Sequence, residues 1–406
     1  MSNLADVSES IRQRRISPVD VVTACLERIE RLQPDLNAFI TVAADSALQA
    51  ARTAESEIQQ GAWKGPLHGI PIGIKDFYDT AGLETTAAFE PFRHRVPRND
   101  AVGVEKLKTA GAIILGKMNM HTLGMGTTGL DSCFGPVANP WNADYIPGGS
   151  SSGSAAAVAC GLCFATLDTD AIGSCRLPAA CCGVVGFKGT YGLISVKGIL
   201  EGEQPPDETI CWMAHAGLTT RSVRDTALVL DVLADRTNVQ RVSAFAAALA
   251  DERPLRIGVA ENGIADPDVS SAFEHAVATL RTLGYSVSRA PIPFTDFSRG
   301  IANIEADRKE IGRLRFEDVD VLVLPTTTTA TLPVKDARTA LALSPANTMF
   351  ANYYGLPAIS VPCGLDRHGL PLGLQIVARA GDEGAVLRLA SQYERARSFV
   401  NRPGAS

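Results

Sequence analysis

From Ile70 onward, short apolar segments alternate with helix-length stretches, and this alternation constrains the fold more than any other feature of the chain. Strands are predicted at 70–74, 112–116, 164–168, 255–260, 285–289, 319–325 and 372–378, with apolar, β-favouring residues set between glycine, proline and polar clusters. Strands interleaved with helices build one α/β sheet sandwiched by helices. Ahead of the sheet the chain is helical. Ser17 and Pro18 read as an N-cap followed by proline at the first helical position, and Val22, Cys25, Leu26, Ile29 and Leu32 then recur at helical spacing. A second helical stretch runs from Ala43 to Ile58 and ends near Gly61.

The polar, proline-rich run Glu201–Glu208 is expected to be an exposed loop, and Pro291–Phe297 another connection. Neither divides the chain, and no internal repeat or heptad run is present. With 406 residues and 46% hydrophobic content there is ample core for a single large unit. The apolar run Ala155–Leu167 is too short to span a bilayer. No charged-then-apolar leader stands at the amino terminus. The balance of 38 basic and 44 acidic residues, a net charge of −6, comes without a basic stripe, which argues against nucleic acid as a partner. Nine cysteines scattered through apolar stretches read as reduced thiols in a cytoplasmic protein. Cys160 and Cys163 are expected to face one core from a single helix rather than to do redox or metal chemistry, and Cys181 and Cys182 read the same way.

The chemistry concentrates between Pro147 and Ala179. There Pro-Gly-Gly-Ser-Ser-Ser-Gly-Ser is followed by a small apolar run and then by Asp-Thr-Asp-Ala-Ile-Gly-Ser-Cys-Arg. Ser150 and Ser174 each follow a glycine, where backbone N–H groups can turn inward around a nucleophile. A serine needs a base, and none of the six histidines sits in a nucleophile motif; His68 and His121 flank motif segments and read as packed residues. Lys75 ends the apolar strand Ile70–Ile74, and burial there would disfavour its charge and make it a base. The alternative is a strand-end lysine paired with Asp76. A phosphate-binding nest at Gly148–Ser154 lacks the Gly-Lys-Ser/Thr ending of a P-loop.

In this order Lys75, Ser150 and Ser174 resemble the amidase signature family. The resemblance extends to Gly116-Lys-Met-Asn-Met, Phe134-Gly-Pro-Val-Ala-Asn-Pro-Trp-Asn, Cys182-Gly-Val-Val-Gly-Phe-Lys-Gly-Thr, Gly355-Leu-Pro-Ala-Ile-Ser-Val-Pro and Gly369-Leu-Pro-Leu-Gly-Leu-Gln, in order over nearly the whole chain. It implies a single large mixed β-sheet flanked by helices, with N-terminal helices at 1–60, a catalytic core at 65–200 and the rest of the sheet at 209–406. It implies an amidohydrolase in which Ser174 is the nucleophile, Ser150, preceded by a cis peptide, relays a proton, and Lys75 is the base. The N–H groups of Ala171, Ile172, Gly173 and Ser174 would form the oxyanion hole, and no cofactor or metal is required. Met125, Gly126, Thr127, Ser151 and Arg176 are the candidate substrate contacts; for Arg176, which could clamp a substrate carboxylate or pair with Asp170 to brace the loop, bracing is the favoured reading. The partner is a small-molecule amide, with a homodimer left open.

The chain departs from the commonest family pattern, Gly-Thr-Asp-Thr-Gly-Gly-Ser, by carrying Asp168, Ala171 and Ile172. Ile172 is expected to narrow the space beside the scissile carbonyl. Trp212-Met213-Ala214-His215 replaces a small polar patch, and one helix at 298–316 stands where many relatives insert a longer cover. Two further readings remain: a glutaminase-type subunit of an amidotransferase complex, and a catalytically silent ligand-binding homologue.

Overall fold

A computed structural model describes residues 3–204, 208–235, 245–292, 301–314, 316–397 and 403. Eleven strands form one sheet: β1 Phe39–Val42, β2 Pro71–Lys75, β3 Ile113–Met118, β4 Ala165–Asp170, β5 Val185–Lys188, β6 His215–Thr220, β7 Arg256–Ala260, β8 Ser286–Ala290, β9 Val321–Pro325, β10 Ala358–Leu365 and β11 Pro371–Ala378. Their order across the sheet is β1-β3-β2-β4-β6-β5-β10-β11-β9-β7-β8. The sheet is mixed: β3, β2 and β4 run parallel, as do β9, β7 and β8, while antiparallel pairs join these two blocks. Every residue of β2, β3, β4 and β11 is buried, as expected of strands covered by helices on both faces.

The expected strands are all present, shifted by one or two residues at their ends. Four others were not read from the sequence. β1 and β5 are only four residues long, β6 is rich in threonine and glycine, and β10 is interrupted by Pro362, where its pairing with β11 shifts register. Ser17 caps the helix Pro18–Leu36 by accepting from the Val19 N–H at 2.9 Å, with Pro18 at the first helical position. A shorter helix, Leu4–Arg12, precedes it, and the next is Ala44–Gln59.

The run Ala155–Leu167 is not one helix. The helix Ser152–Cys160 ends at Gly161, whose φ of 67° makes a left-handed cap, and β4 begins at Ala165. Cys163 therefore lies in the connection; Cys160 and Cys163 do pack against one core, as expected, but not from a single helix. All nine cysteines are free. Glu201–Gln204 is exposed, as the loop reading requires, but a helix begins at Glu208 and runs to Met213. In the shortened cover, the described part is a 3-10 turn at Ile301–Asn303 followed by the helix Ile304–Leu314. Expected segments at 205–207, 293–300 and 315 lie outside the described residues. Among the described residues no helix is long and apolar enough to cross a membrane.

The helix Ser152–Cys160 is apolar all round and buried from Ser152 to Ala159, as befits a helix inserted into a core. Gly153 allows that insertion. A Cβ there would come under 3.0 Å from the Ala38 carbonyl oxygen and the Asn119 backbone, neither of which can swing aside. Gly153→Ala is expected to lower stability by ~1–3 kcal/mol, the usual range for overpacking, read as a lower urea midpoint at unchanged slope.

Candidate active site

In open α/β sheets, sites form beyond the carboxyl ends of parallel strands. Here β3, β2 and β4 deliver Asn119, Lys75 and Thr169 to one edge. Lys75 is completely buried. Its Nζ donates to Ser150 Oγ at 2.7 Å and contacts Thr169 Oγ1 at 2.8 Å, and it lies 5.5 Å from the centre of the Phe77 ring. Desolvation pushes the Lys75 amine down to about 8, against the opposing pull of Asp168, Cys175 and Asp170. Asp76 does not pair with it. That carboxylate accepts from the Thr86 N–H and hydroxyl and faces Lys117 at 3.5 Å.

The peptide between Gly149 and Ser150 is cis. Its tight seat is visible at Gly149, where a Cβ would meet the Gly129 nitrogen at 2.9 Å and the Thr127 carbonyl carbon at 3.0 Å. The Ser150 carbonyl accepts from the His121 N–H at 3.0 Å, and the Ser151 N–H donates to the Ser174 carbonyl at 3.0 Å, so the two serine loops are fastened together. Ser174 is 4% exposed, and its hydroxyl makes no hydrogen bond among the described residues.

The turn before Ser174 is organised by Asp170. Its Oδ1 accepts from the Gly173 N–H at 2.8 Å, from Arg176 Nη2 at 2.9 Å and from Asn352 Nδ2 at 2.8 Å; its Oδ2 accepts from the Cys175 N–H at 3.2 Å and Arg176 Nε at 3.0 Å. Burial works against the charge of Asp170, but the Arg176 guanidinium and these donors hold its carboxyl well below the usual carboxylate range. One expectation is corrected here. The Gly173 N–H is committed to Asp170, leaving the N–H groups of Ala171, Ile172 and Ser174 without an acceptor among the described residues.

Of the two readings of Arg176, the structure bears out bracing by Asp170 and not substrate contact. Arg176 is fully buried, and beyond its two bonds to Asp170 it donates to Gln375 Oε1, the Thr348 carbonyl and Asn352 Oδ1 at 2.5, 3.0 and 2.6 Å. All five of its N–H donors are thereby used. Thr127 and Ser151 are internal too. The Thr127 N–H and hydroxyl both point to the Ala340 carbonyl, and the Ser151 hydroxyl points to the Thr169 carbonyl. Gly126 is buried against the His121 ring, whereas Met125 is 38% exposed.

Ile172 packs with Met213, Ile304 and Tyr353, which joins the loop before Ser174 to the helix Ile304–Leu314. One turn further along the same face, Arg308 lies over the Tyr191 ring at 3.9 Å and donates to the Trp212 and Tyr353 carbonyls. His215 is buried opposite Asp170 on β6, and His68 pairs with Glu57 away from the serines. Thr169, Phe77, Thr348, Asn352 and Gln375 are the residues sequence reasoning missed. Thr169 lay within the Asp-Thr-Asp segment and was legible there; the last three carry no local signal.

A model of the family described as Amidase matches residues 20–304 and 299–387. The glutamyl-tRNA(Gln) amidotransferase subunit of Roseiflexus sp. (strain RS-1) is 34% identical over 481 aligned positions, covering 98% of this chain and 97% of that relative. Since the present chain has 406 residues, that relative carries dozens of residues with no counterpart here. Among solved structures, 6-aminohexanoate cyclic dimer hydrolase complexed with substrate has a TM-score of 0.88 at 27% identity, covering 99% of this chain and 98% of that chain. Native peptide amidase from Stenotrophomonas maltophilia has a TM-score of 0.86 at 26% identity, with the same coverage.

Removing Arg176 would leave the Asp170 carboxylate buried without its counter-charge. Arg176→Met is expected to cost ~3–5 kcal/mol in chemical denaturation, and Arg176→Lys to recover only part of it, since an ammonium cannot reach all five acceptors.

Proposed function

Because the chain belongs to the amidase family, we propose that it hydrolyses a small or medium carboxamide through an acyl-enzyme on Ser174. The observation that carries this reading is the buried Lys75 amine, held 2.7 Å from Ser150 Oγ at the base of the two joined serine loops. As Ser174 Oγ attacks the carbonyl carbon, its proton passes to Ser150 Oγ while the Ser150 proton passes to neutral Lys75. The carbonyl oxygen takes up negative charge facing the N–H groups of Ala171, Ile172 and Ser174. The proton returns through Ser150 to the departing nitrogen, the C–N bond breaks, and water then cleaves the ester. Met125, at the exposed end of its loop, is the substrate contact that remains from the sequence expectations. Nine free thiols fit a reducing, cytoplasmic setting.

A second reading rests on the names of relatives such as the Roseiflexus protein: a glutaminase-type subunit that works inside an amidotransferase complex. The two separate cleanly in an ammonia-release assay across aliphatic, aryl, dicarboxylic and ureido amides. Turnover by the isolated chain supports the hydrolase; release of ammonia from glutamine alone, and only with partner subunits present, supports the other.

A fluorophosphonate probe is expected to label Ser174, and Ser174→Ala to abolish both labelling and turnover; an adduct on another serine would overturn the assignment. Only the neutral amine of Lys75 accepts a proton, so activity should rise as pH passes through about 8. Lys75→Ala should lose several orders of magnitude. Lys75→Arg should not rescue it, because a guanidinium stays charged.

A further inference from the structure

Asp168 is an acidic residue where the family pattern has glycine, and it is completely buried. In the parallel pairing of β2 with β4, Ile72 lies opposite Ala165, Gly73 opposite Thr166 and Ile74 opposite Leu167. One residue further along, Lys75 and Asp168 become neighbours on adjacent strands, with side chains on the same face of the sheet. The Asp168 carboxylate meets hydroxyl donors on that face: Ser154 at 2.5 Å from the helix above, Thr166 at 2.7 Å from its own strand, and Thr219 at 2.7 Å from β6. Among the described residues no cation forms an ion pair with it.

A carboxylate in that position needs a reason, since burial pushes its pKa up and only part of that is offset by the hydroxyls and Lys75. The other groups nearby do not supply a counter-charge. Asp170 is taken by Arg176, Asp76 faces Lys117, and the Cys175 thiol and Tyr78 hydroxyl are pushed up by burial and stay neutral. The buried His121 ring carries no charge to offer either, because burial pushes its pKa down.

We infer that Asp168 is a positioning residue for the proton relay, an ionised counter-charge that stabilises the ammonium formed on Lys75 while Ser174 is being acylated. It exchanges no proton itself. It acts through Lys75, making that amine a stronger base than its burial alone would allow. The inference rests on the triad reading of the preceding section.

The test is the pH dependence of the rate at which a fluorophosphonate labels Ser174, which needs no knowledge of the natural substrate. In Asp168→Asn, and in Asp168→Gly, which restores the family's own residue, the acid limb should move to lower pH by ~1–3 units, the shift an adjacent opposite charge imposes, and the plateau rate should fall. A limb left in place in both variants would overturn the inference. A merely structural role would do the same, lowering the plateau without moving the limb. Failure of the probe to label Ser174 in the wild-type chain would instead strike the triad reading itself.

Discussion

The ion pair between Asp170 and Arg176 holds the turn before Ser174 in shape, and most of what surrounds that serine depends on it. Two charges withdrawn completely from water are tolerated only if every lone pair and every N–H finds a partner. Asp170 meets that condition by gripping the turn it belongs to, through the Gly173 and Cys175 N–H groups. Arg176 meets it by reaching to Asn352, Thr348 and Gln375. The pair thus connects the loop that carries the nucleophile to the far half of the sheet. One effect is to commit the Gly173 N–H to Asp170; another is to hold the backbone on either side of it in place.

Three buried lysines show how differently the same burden can be handled. Lys117 has Asp76 at 3.5 Å and donates to the Tyr78 carbonyl and the Thr85 hydroxyl. Lys188 has carbonyl acceptors from Gly189, Ala351 and Leu356, and burial drives its pKa well below the ordinary lysine value. Lys75 alone bonds only to hydroxyls and one distant carbonyl at 3.5 Å. A hydroxyl can give a proton as well as accept a hydrogen bond, which a carbonyl cannot. This difference in partners, more than burial, sets Lys75 apart from Lys117, which has a carboxylate beside it, and from Lys188, which meets only carbonyls.

Sequence reasoning succeeded where the chemistry was local. Alternating isoleucines ending at a lysine announced β2, and glycines beside serines announced both loops, because tight turns demand glycine whatever the distant surroundings. It failed where a partner is chosen by the sheet. Nothing near Asn352 or Gln375 announces that the short helix Met349–Tyr353 and β11 will lay them against the loop at residues 170–176. The pairing of Arg176 with Asp170 was legible because the two are neighbours in the chain, but its distant acceptors Thr348, Asn352 and Gln375 were not. Gly161 was a local signal that went unread: a glycine just after a small-residue run closes a helix, and the cysteines on either side do not belong to one helix.

Gln375 lies on β11, close to the carboxyl end of the sequence, and yet it buttresses a residue adjacent to the nucleophile. A chain emerging from the ribosome therefore carries Lys75, Ser150 and Ser174 long before anything can hold them in register. Until β11 pairs with β9 and β10, Arg176 has Asp170 beside it in the chain but lacks its Gln375 acceptor, and the turn before Ser174 is not tied to the far half of the sheet. Contacts separated by some two hundred residues form late and slowly. The loop that carries Ser174 is thereby fully braced only when the carboxyl-terminal strands have joined the sheet.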